Sequence, residues 1–352
     1  MDSPGIVFID DQSSVLNALR AMLKQSHRDW DMHFFSSPAE VLNNLSAISP
    51  WLVVASKHLA DGDGVTLLQQ VAERAPEAIR VLLVDDAQPE SALQGSTASH
   101  FVLRKPLERD AIEDLLIRAR VLHQLPLSAS RRRQLGQLNG LPVLPRIYQR
   151  ITLELDKPEP DVAAVAALIR EDQSLLSRVL QLVNSPFFGF SSRTAEVEVA
   201  VMRLGLQTIH NLVLITELYH QDASPQLKAG DRLMRDALLL AEQVGVVCAA
   251  RNVSRTVRNQ AVISALLHNL GCLVLALHEN SQSDSDKPTR QEISILSAYL
   301  LELWGFESEV VEAVLHQEDE LLPDDCDQQT RILNIALKMQ RGVAVDADPS
   351  TP

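Results

Sequence analysis

Four charged positions in the first third of the chain lie where chemistry could be done. Asp10 and Asp11 close the short apolar run Ile6–Asp10, and Lys105 with Pro106 follows the run Phe101–Leu103. Between them, Asp63-Gly64 forms an acidic loop. Adjacent carboxylates suit a hard cation such as Mg²⁺, and a nearby ammonium suits an anion. In the remaining two thirds the side chains able to ligate or catalyse are scattered: His210, His220, His268, His278 and His316, with Cys248, Cys272 and Cys326. The cysteines are odd in number and lack CxxC spacing, so reduced thiols are expected. A lone histidine on an apolar helix, such as His268, is expected to be a hydrogen-bonded core residue. The chain has no Gly-x-Ser-x-Gly elbow, phosphate-cradling glycine loop or Cys/His metal spacing.

The elements that must position these residues change character near residue 122. Ile6–Asp10, Met32–Phe35, Trp51–Ala55, Val81–Val84 and Phe101–Leu103 are short apolar runs. They alternate with helical periodicities at Ser13–Lys24, from Ser37-Pro38, at Val65–Val71 and at Ala111–Leu122. Five such units predict an α/β doubly wound, five-stranded parallel sheet, with ligands at the carboxyl ends of its strands. Asp10, Asp11 and Lys105 all fall at that edge. Residues 123–134 read as a linker, whose Arg131-Arg132-Arg133 run is expected to be solvated. From 135 to 342 only helical periodicities appear, predicting an all-α domain: Val162–Ile169, Leu175–Val183, Val197–Leu204, Ile209–Leu218, Leu233–Ala250, Ala261–Leu277, Ile293–Leu303 and Ile332–Met339. Residues 343–352 are expected to form a frayed tail.

Composition excludes several function classes. Hydrophobic residues are 46% and the formal charge is −14. Residues 1–122 hold 11 basic and 17 acidic side chains, and the remainder 21 and 29. With both halves acidic, neither offers the basic face that a phosphate backbone needs, so no nucleic-acid partner is expected. No window reaches a membrane span, and Met1–Ile6 lacks the basic start of a signal peptide. A cytoplasmic protein is expected.

The order and spacing of Asp10, Asp11, Asp63-Gly64 and Lys105 resemble the response-regulator receiver family across residues 1–122. The resemblance implies that Asp10 and Asp11 stand for the magnesium carboxylates and Lys105 for the phosphate-neutralising lysine. Counted back from Asp63-Gly64, the phosphoacceptor position falls on Ser56, and the hydroxyl position after Val84 falls on Asp85. Serine cannot form an acyl phosphate, and Asp85 opposes a phosphoryl group electrostatically. The site is therefore degenerate. Asp61 or Asp63 as acceptor would require a nucleophile displaced from the metal pair. A salt bridge between Asp85 and Lys105 is expected to hold one permanent conformation.

In the second part, Gly140-Leu141-Pro142-Val143-Leu144-Pro145, Asn184-Ser185-Pro186-Phe187-Phe188-Gly189 and Met202-Arg203-Leu204-Gly205 resemble the HDOD family. This family is related to HD-type metal-dependent phosphohydrolases and usually lacks their metal ligands. By that resemblance the His-Asp dyad is His268-Asn269 here, and the helix that supplies the first histidine carries Asp236 instead. Neither a catalytic residue, a metal nor a cofactor is expected. The reading is a non-enzymatic bacterial signalling adaptor. Its partners would be other signalling proteins, such as kinases or cyclic-dinucleotide enzymes, and a homodimer is allowed. The alternatives are a phosphohydrolase of cyclic nucleotides and a small-ligand sensor in the helical domain.

Overall fold

A computed structural model describes residues 5–23, 30–85, 98–128, 131–132, 145–155, 157–219, 227–278 and 288–343. The opening segment 140–144, Arg133, His220, the side chain of His278 and the tail from 344 lie outside the described residues. The chain forms two compact units, Met1–Val143 and Leu144–Pro352.

The apolar runs of the first unit become strands because each can be covered on both faces. In chain order its elements are β1 (Gly5–Ile9), α1 (Ser13–Leu23), β2 (Asp31–Phe35), α2 (Pro38–Ile48) and β3 (Leu52–Ser56), then a two-residue hairpin of β4 (His58–Leu59) and β5 (Gly62–Asp63). After these come α3 (Gly64–Arg74), β6 (Ile79–Asp85), β7 (Phe101–Lys105) and α4 (Arg109–Gln124). The main sheet has the order β2-β1-β3-β6-β7, all parallel. This is the doubly wound arrangement expected, with its switch point between β1 and β3. Phe8, Val53, Val54, Leu82 and Leu83 are inaccessible to solvent or nearly so, and a fully buried side chain of this kind contributes about 1.5–3 kcal/mol.

α4 runs through Gln124, two residues past Leu122. The chain then folds back on the helix end. Arg132 donates to the carbonyls of Leu122, His123, Leu125 and Leu127 at 2.5–3.2 Å. These include carbonyls that a helix terminus leaves without partners. Arg132 is thus a helix cap, which corrects the expectation of a solvated cation.

The second unit is helical throughout its described residues: α5 (Arg146–Leu155), α6 (Val162–Arg170), α7 (Gln173–Val183), α8 (Val197–Leu204), α9 (Leu206–Tyr219), α10 (Leu227–Arg251), α11 (Arg255–Leu267), α12 (Leu270–His278), α13 (Arg290–Leu303), α14 (Ser308–Leu315) and α15 (Gln328–Gln340). Asp161, Asp172, Ser254 and Thr289 cap their helices through side-chain oxygens. The periodicity over Ala261–Leu277 predicts one helix. The structure has two, α11 and α12, broken at His268-Asn269. Among the described residues no single helix is long and apolar enough to cross a membrane.

Candidate functional site

At the carboxyl edge of the sheet, Asp10 follows β1, Ser56 ends β3 and Lys105 ends β7. The Lys105 ammonium lies 2.5 Å from Asp10 Oδ2 and donates to Ser56 Oγ at 2.8 Å. The other Asp10 oxygen accepts the Gln12 backbone N–H at 2.9 Å. Only 1% of the Asp10 side chain and 15% of Lys105 is accessible. Ser56 is buried as well. The structure therefore brings together three of the five predicted site residues. Asp11 and Asp85 are exposed.

The expected Asp85–Lys105 salt bridge is not formed. The two residues are register partners on β6 and β7, yet the lysine reaches across the sheet instead. Asp10 is buried and needs a cation, whereas exposed Asp85 is served by water. Asp63 caps α3 through Thr66 N–H at 3.1 Å and is exposed, which gives it a structural role. Gly64 is required where the hairpin closes over β3, since a Cβ there would stand 2.1 Å from the Ser56 carbonyl oxygen. Both Asp10 oxygens and the Ser56 hydroxyl already have partners, so this site does not fit a cation unless Lys105 leaves it.

In the second unit the helix break exposes backbone groups that a polar cluster then satisfies. Asn269, buried, donates from Nδ2 to the Leu233 carbonyl of α10 at 3.0 Å. Its Oδ1 accepts from the Tyr219 hydroxyl of α9 at 2.5 Å, and that hydroxyl also faces the Leu266 carbonyl at 3.0 Å. Burial raises the Tyr219 pKa, keeping it a neutral donor. The His268 carbonyl accepts from Gln317 Nε2 at 2.9 Å and from Ser297 Oγ at 3.3 Å. Gln317 also reaches Ser294 Oγ, and Asn334 binds the Gln317 carbonyl. His316-Gln317 stands where, by resemblance, the family often carries a His pair, whereas Tyr219, Ser294, Ser297 and Asn334 were not singled out in the sequence; the cluster lies on or beside four different helices, so no local spacing joins it.

The His268 imidazole donates from Nδ1 to the Ala265 carbonyl at 2.8 Å, which leaves Nε2 with the lone pair. Burial pulls its pKa down to about 4, with the charges of Arg341, Glu318 and Asp236 as smaller influences. Glu318 is held by Arg341 through two bonds of 2.5 and 2.6 Å. One histidine nitrogen, an amide already bonded at both ends and a carboxylate paired with arginine do not fit a divalent cation. Among the described residues no group of three or more His, Cys, Asp or Glu side chains could hold one.

The Asn184–Gly189 motif is architectural. Asn184 ends α7 and brackets Thr194, accepting its N–H and donating to its carbonyl, both at 2.8 Å. Ser185 Oγ donates to the Gln181 carbonyl at 3.0 Å. Pro186–Phe188 form a 3₁₀ turn whose Phe187 and Phe188 are buried. Gly189 sits at φ 73°, where glycine is favoured, with the Arg258 guanidinium against it.

His210 shares the depressed pKa, about 4, because burial outweighs its bond to the Tyr148 carbonyl. Nε2 lies 2.9 Å from Thr152 Oγ1 and 3.2 Å from that carbonyl, while Nδ1 is buried without a partner. A histidine whose folded pKa lies below its unfolded 6.5 costs no stability above pH 6.5. Stability is lost as the pH falls from 6.5 to 4, and the loss levels off below 4. For His210 alone this amounts to about 2 kcal/mol between pH 7 and pH 5. Urea unfolding followed by circular dichroism should show a steeper slope in the wild type, to which His268 adds, and one shallower by about this amount in His210→Gln. Equal slopes would remove His210 as the cause.

Over 143 residues the chain is 30% identical to an uncharacterized protein of Treponema pallidum, covering 39% of this chain and 26% of that one. It thus spans about a quarter of that relative's length. The signal receiver domain of an HD domain-containing protein from Pseudomonas fluorescens is similar at 25% identity and a TM-score of 0.32, over 34% of this chain and 88% of that one. A structure from Shewanella amazonensis, provisionally described as a metal-dependent phosphohydrolase, is 17% identical with a TM-score of 0.48, over 67% of this chain and 86% of that one. Residues 141–320 match the HDOD domain family. With just over half of its length matched, this chain, a receiver-like unit followed by a signalling helical domain, belongs to the HDOD family.

Proposed function

We propose that the protein is a non-enzymatic adaptor in signal transduction, acting through protein–protein contacts, with a receiver-like unit that works independently of phosphorylation. The observation that carries this reading is the triangle of Asp10, Ser56 and Lys105, two of its sides being bonds made by the lysine. The lysine that would meet a phosphoryl group is committed to a buried carboxylate, and the acceptor position holds a hydroxyl. In the helical unit, the bracketing of Asn269 between Tyr219 and Leu233 supports a structural use of the dyad position. By resemblance the partners are other signalling proteins, kinases or cyclic-dinucleotide enzymes among them.

The test joins mass spectrometry to elemental analysis. The full chain incubated with acetyl phosphate and Mg²⁺ should keep its intact mass, and purified protein should carry far less than one equivalent of iron, manganese or zinc. A stoichiometric, hydroxylamine-labile phosphate would overturn the receiver half of the proposal. Cyclic-dinucleotide turnover abolished by His268→Ala would overturn the other half, in favour of a phosphohydrolase.

A further inference from the structure

Helix α10 carries one face that packs into the bundle and another that meets solvent. At 100° per residue, Asp231, Arg232, Arg235, Leu239, Glu242, Val246 and Ala250 fall on one stripe, and all seven are exposed. Leu239 and Val246 are 53% and 56% accessible. These two apolar side chains stand one heptad apart on the solvent face, between charged neighbours. The stripe opens on Asp231, Arg232 and Arg235, with one positive charge in excess, and carries an anion farther along at Glu242. Among the described residues neither Arg235 nor Glu242 makes an ion pair or a side-chain hydrogen bond. Seven residues apart on one helix, they cannot reach each other.

We propose that this stripe pairs with the same stripe of a second copy of the chain, the two α10 helices antiparallel across a two-fold axis near Leu239. Self-complementarity fixes the register. In an antiparallel pair centred between positions 238 and 239, residue 235 faces residue 242 of the other copy. Each Arg235 then meets a Glu242, twice by symmetry, flanking Leu239 against its own mate. Val246 lies opposite the Asp231–Arg232 turn, where the arginine stem can cover it. Centring the pair between Leu239 and Val246 would bury more apolar surface but bring the two Glu242 carboxylates together, so charge selects the first register. The stripe from 231 to 250 is about 29 Å long. One helix pair of that length makes a small interface, so the dimer is weak, with a dissociation constant on the order of micromolar.

Charge reversal separates this arrangement from every other. Sedimentation of the full chain from low to high micromolar concentration at low salt should give a monomer–dimer equilibrium. Arg235→Glu and Glu242→Arg should each raise the dissociation constant by about ten-fold or more, through lost attraction and new repulsion. The double reversal should return it to within about three-fold of wild type, and Leu239→Glu should abolish association. All of these positions are exposed, so unchanged circular dichroism and melting will report intact folding. The proposal is overturned if the chain stays monomeric throughout that range, or if dimerisation ignores Arg235→Glu. It is equally overturned if the double reversal fails to rescue, or if Leu239→Glu raises hydrogen exchange along α10 in a strictly monomeric protein, which would place the first unit rather than a second copy on this face.

Discussion

Lys105→Met should destabilise the first unit by about 3–5 kcal/mol at neutral pH, the usual cost of leaving a buried charge without its partner. The Asp10 carboxylate is 1% accessible and has the lysine as its counter-ion, with one backbone N–H as its other partner. Methionine fills the volume of the stem but supplies no charge. Asp10→Asn combined with Lys105→Met should cost much less than the sum of the single changes. Asp85→Ala should cost under about 0.5 kcal/mol, as expected of an exposed position away from any buried network. Trp30 and Trp51 belong to the first unit and Trp304 to the second, so in a Trp304→Phe background the fluorescence during urea unfolding follows the first unit. A loss below about 1 kcal/mol for Lys105→Met would mean that the triangle is not what holds this edge of the sheet.

The contrast between Asp85 and Asp10 marks where the sequence could and could not be read. Strand positions follow from unbroken apolar runs, and runs covered on both faces leave few arrangements. Asp10 and Lys105 therefore came to the right edge of the sheet from local pattern alone. Which acid the lysine chooses is a matter of burial, a property of the packed structure. Asp85 is its neighbour in register, but Asp10 is the acid removed from water. The break at His268-Asn269 was hidden for a related reason. No glycine or proline stands there, and apolar residues continue on both sides, so periodicity extends the helix. What stops it is tertiary: Tyr219, Ser297 and Gln317 approach from other elements and bond the Leu266 carbonyl, the Gly271 N–H and the His268 carbonyl around the break. Gly271 lets the next helix come close, since a Cβ there would meet the Ile293 carbonyl at 2.9 Å. Arg132 is the third case, because helix-end carbonyls leave no mark in the sequence to reveal the guanidinium that binds them.

Restoring the acid of the HD dyad tests whether the helical unit has become a structural frame. Asn269 acts as acceptor toward Tyr219 and donor toward Leu233, and an ionised carboxylate in its place cannot donate. Asn269→Ala deletes both bonds and leaves the buried Tyr219 hydroxyl with the Leu266 carbonyl, for a loss of about 1–3 kcal/mol. Asn269→Asp should be worse at pH 7.5. The new carboxylate keeps the tyrosine bond, but its second oxygen faces a carbonyl oxygen, and its charge is buried without a cation. Both effects raise the folded pKa of the introduced acid above its unfolded value of about 3.9. The variant's deficit is therefore small at low pH, where a protonated acid can donate to Leu233, and it grows as the pH rises through the folded pKa. Because the wild type itself weakens in acid through its histidines, the informative quantity is the difference in melting temperature between variant and wild type. That difference should be larger at pH 7.5 than at pH 5, and Mn²⁺ should not reduce it. A variant as stable as wild type at pH 7.5, or one that Mn²⁺ stabilises by several degrees, would mean that a metal-ready centre survives around His268. The amide would then be the single feature holding that centre off.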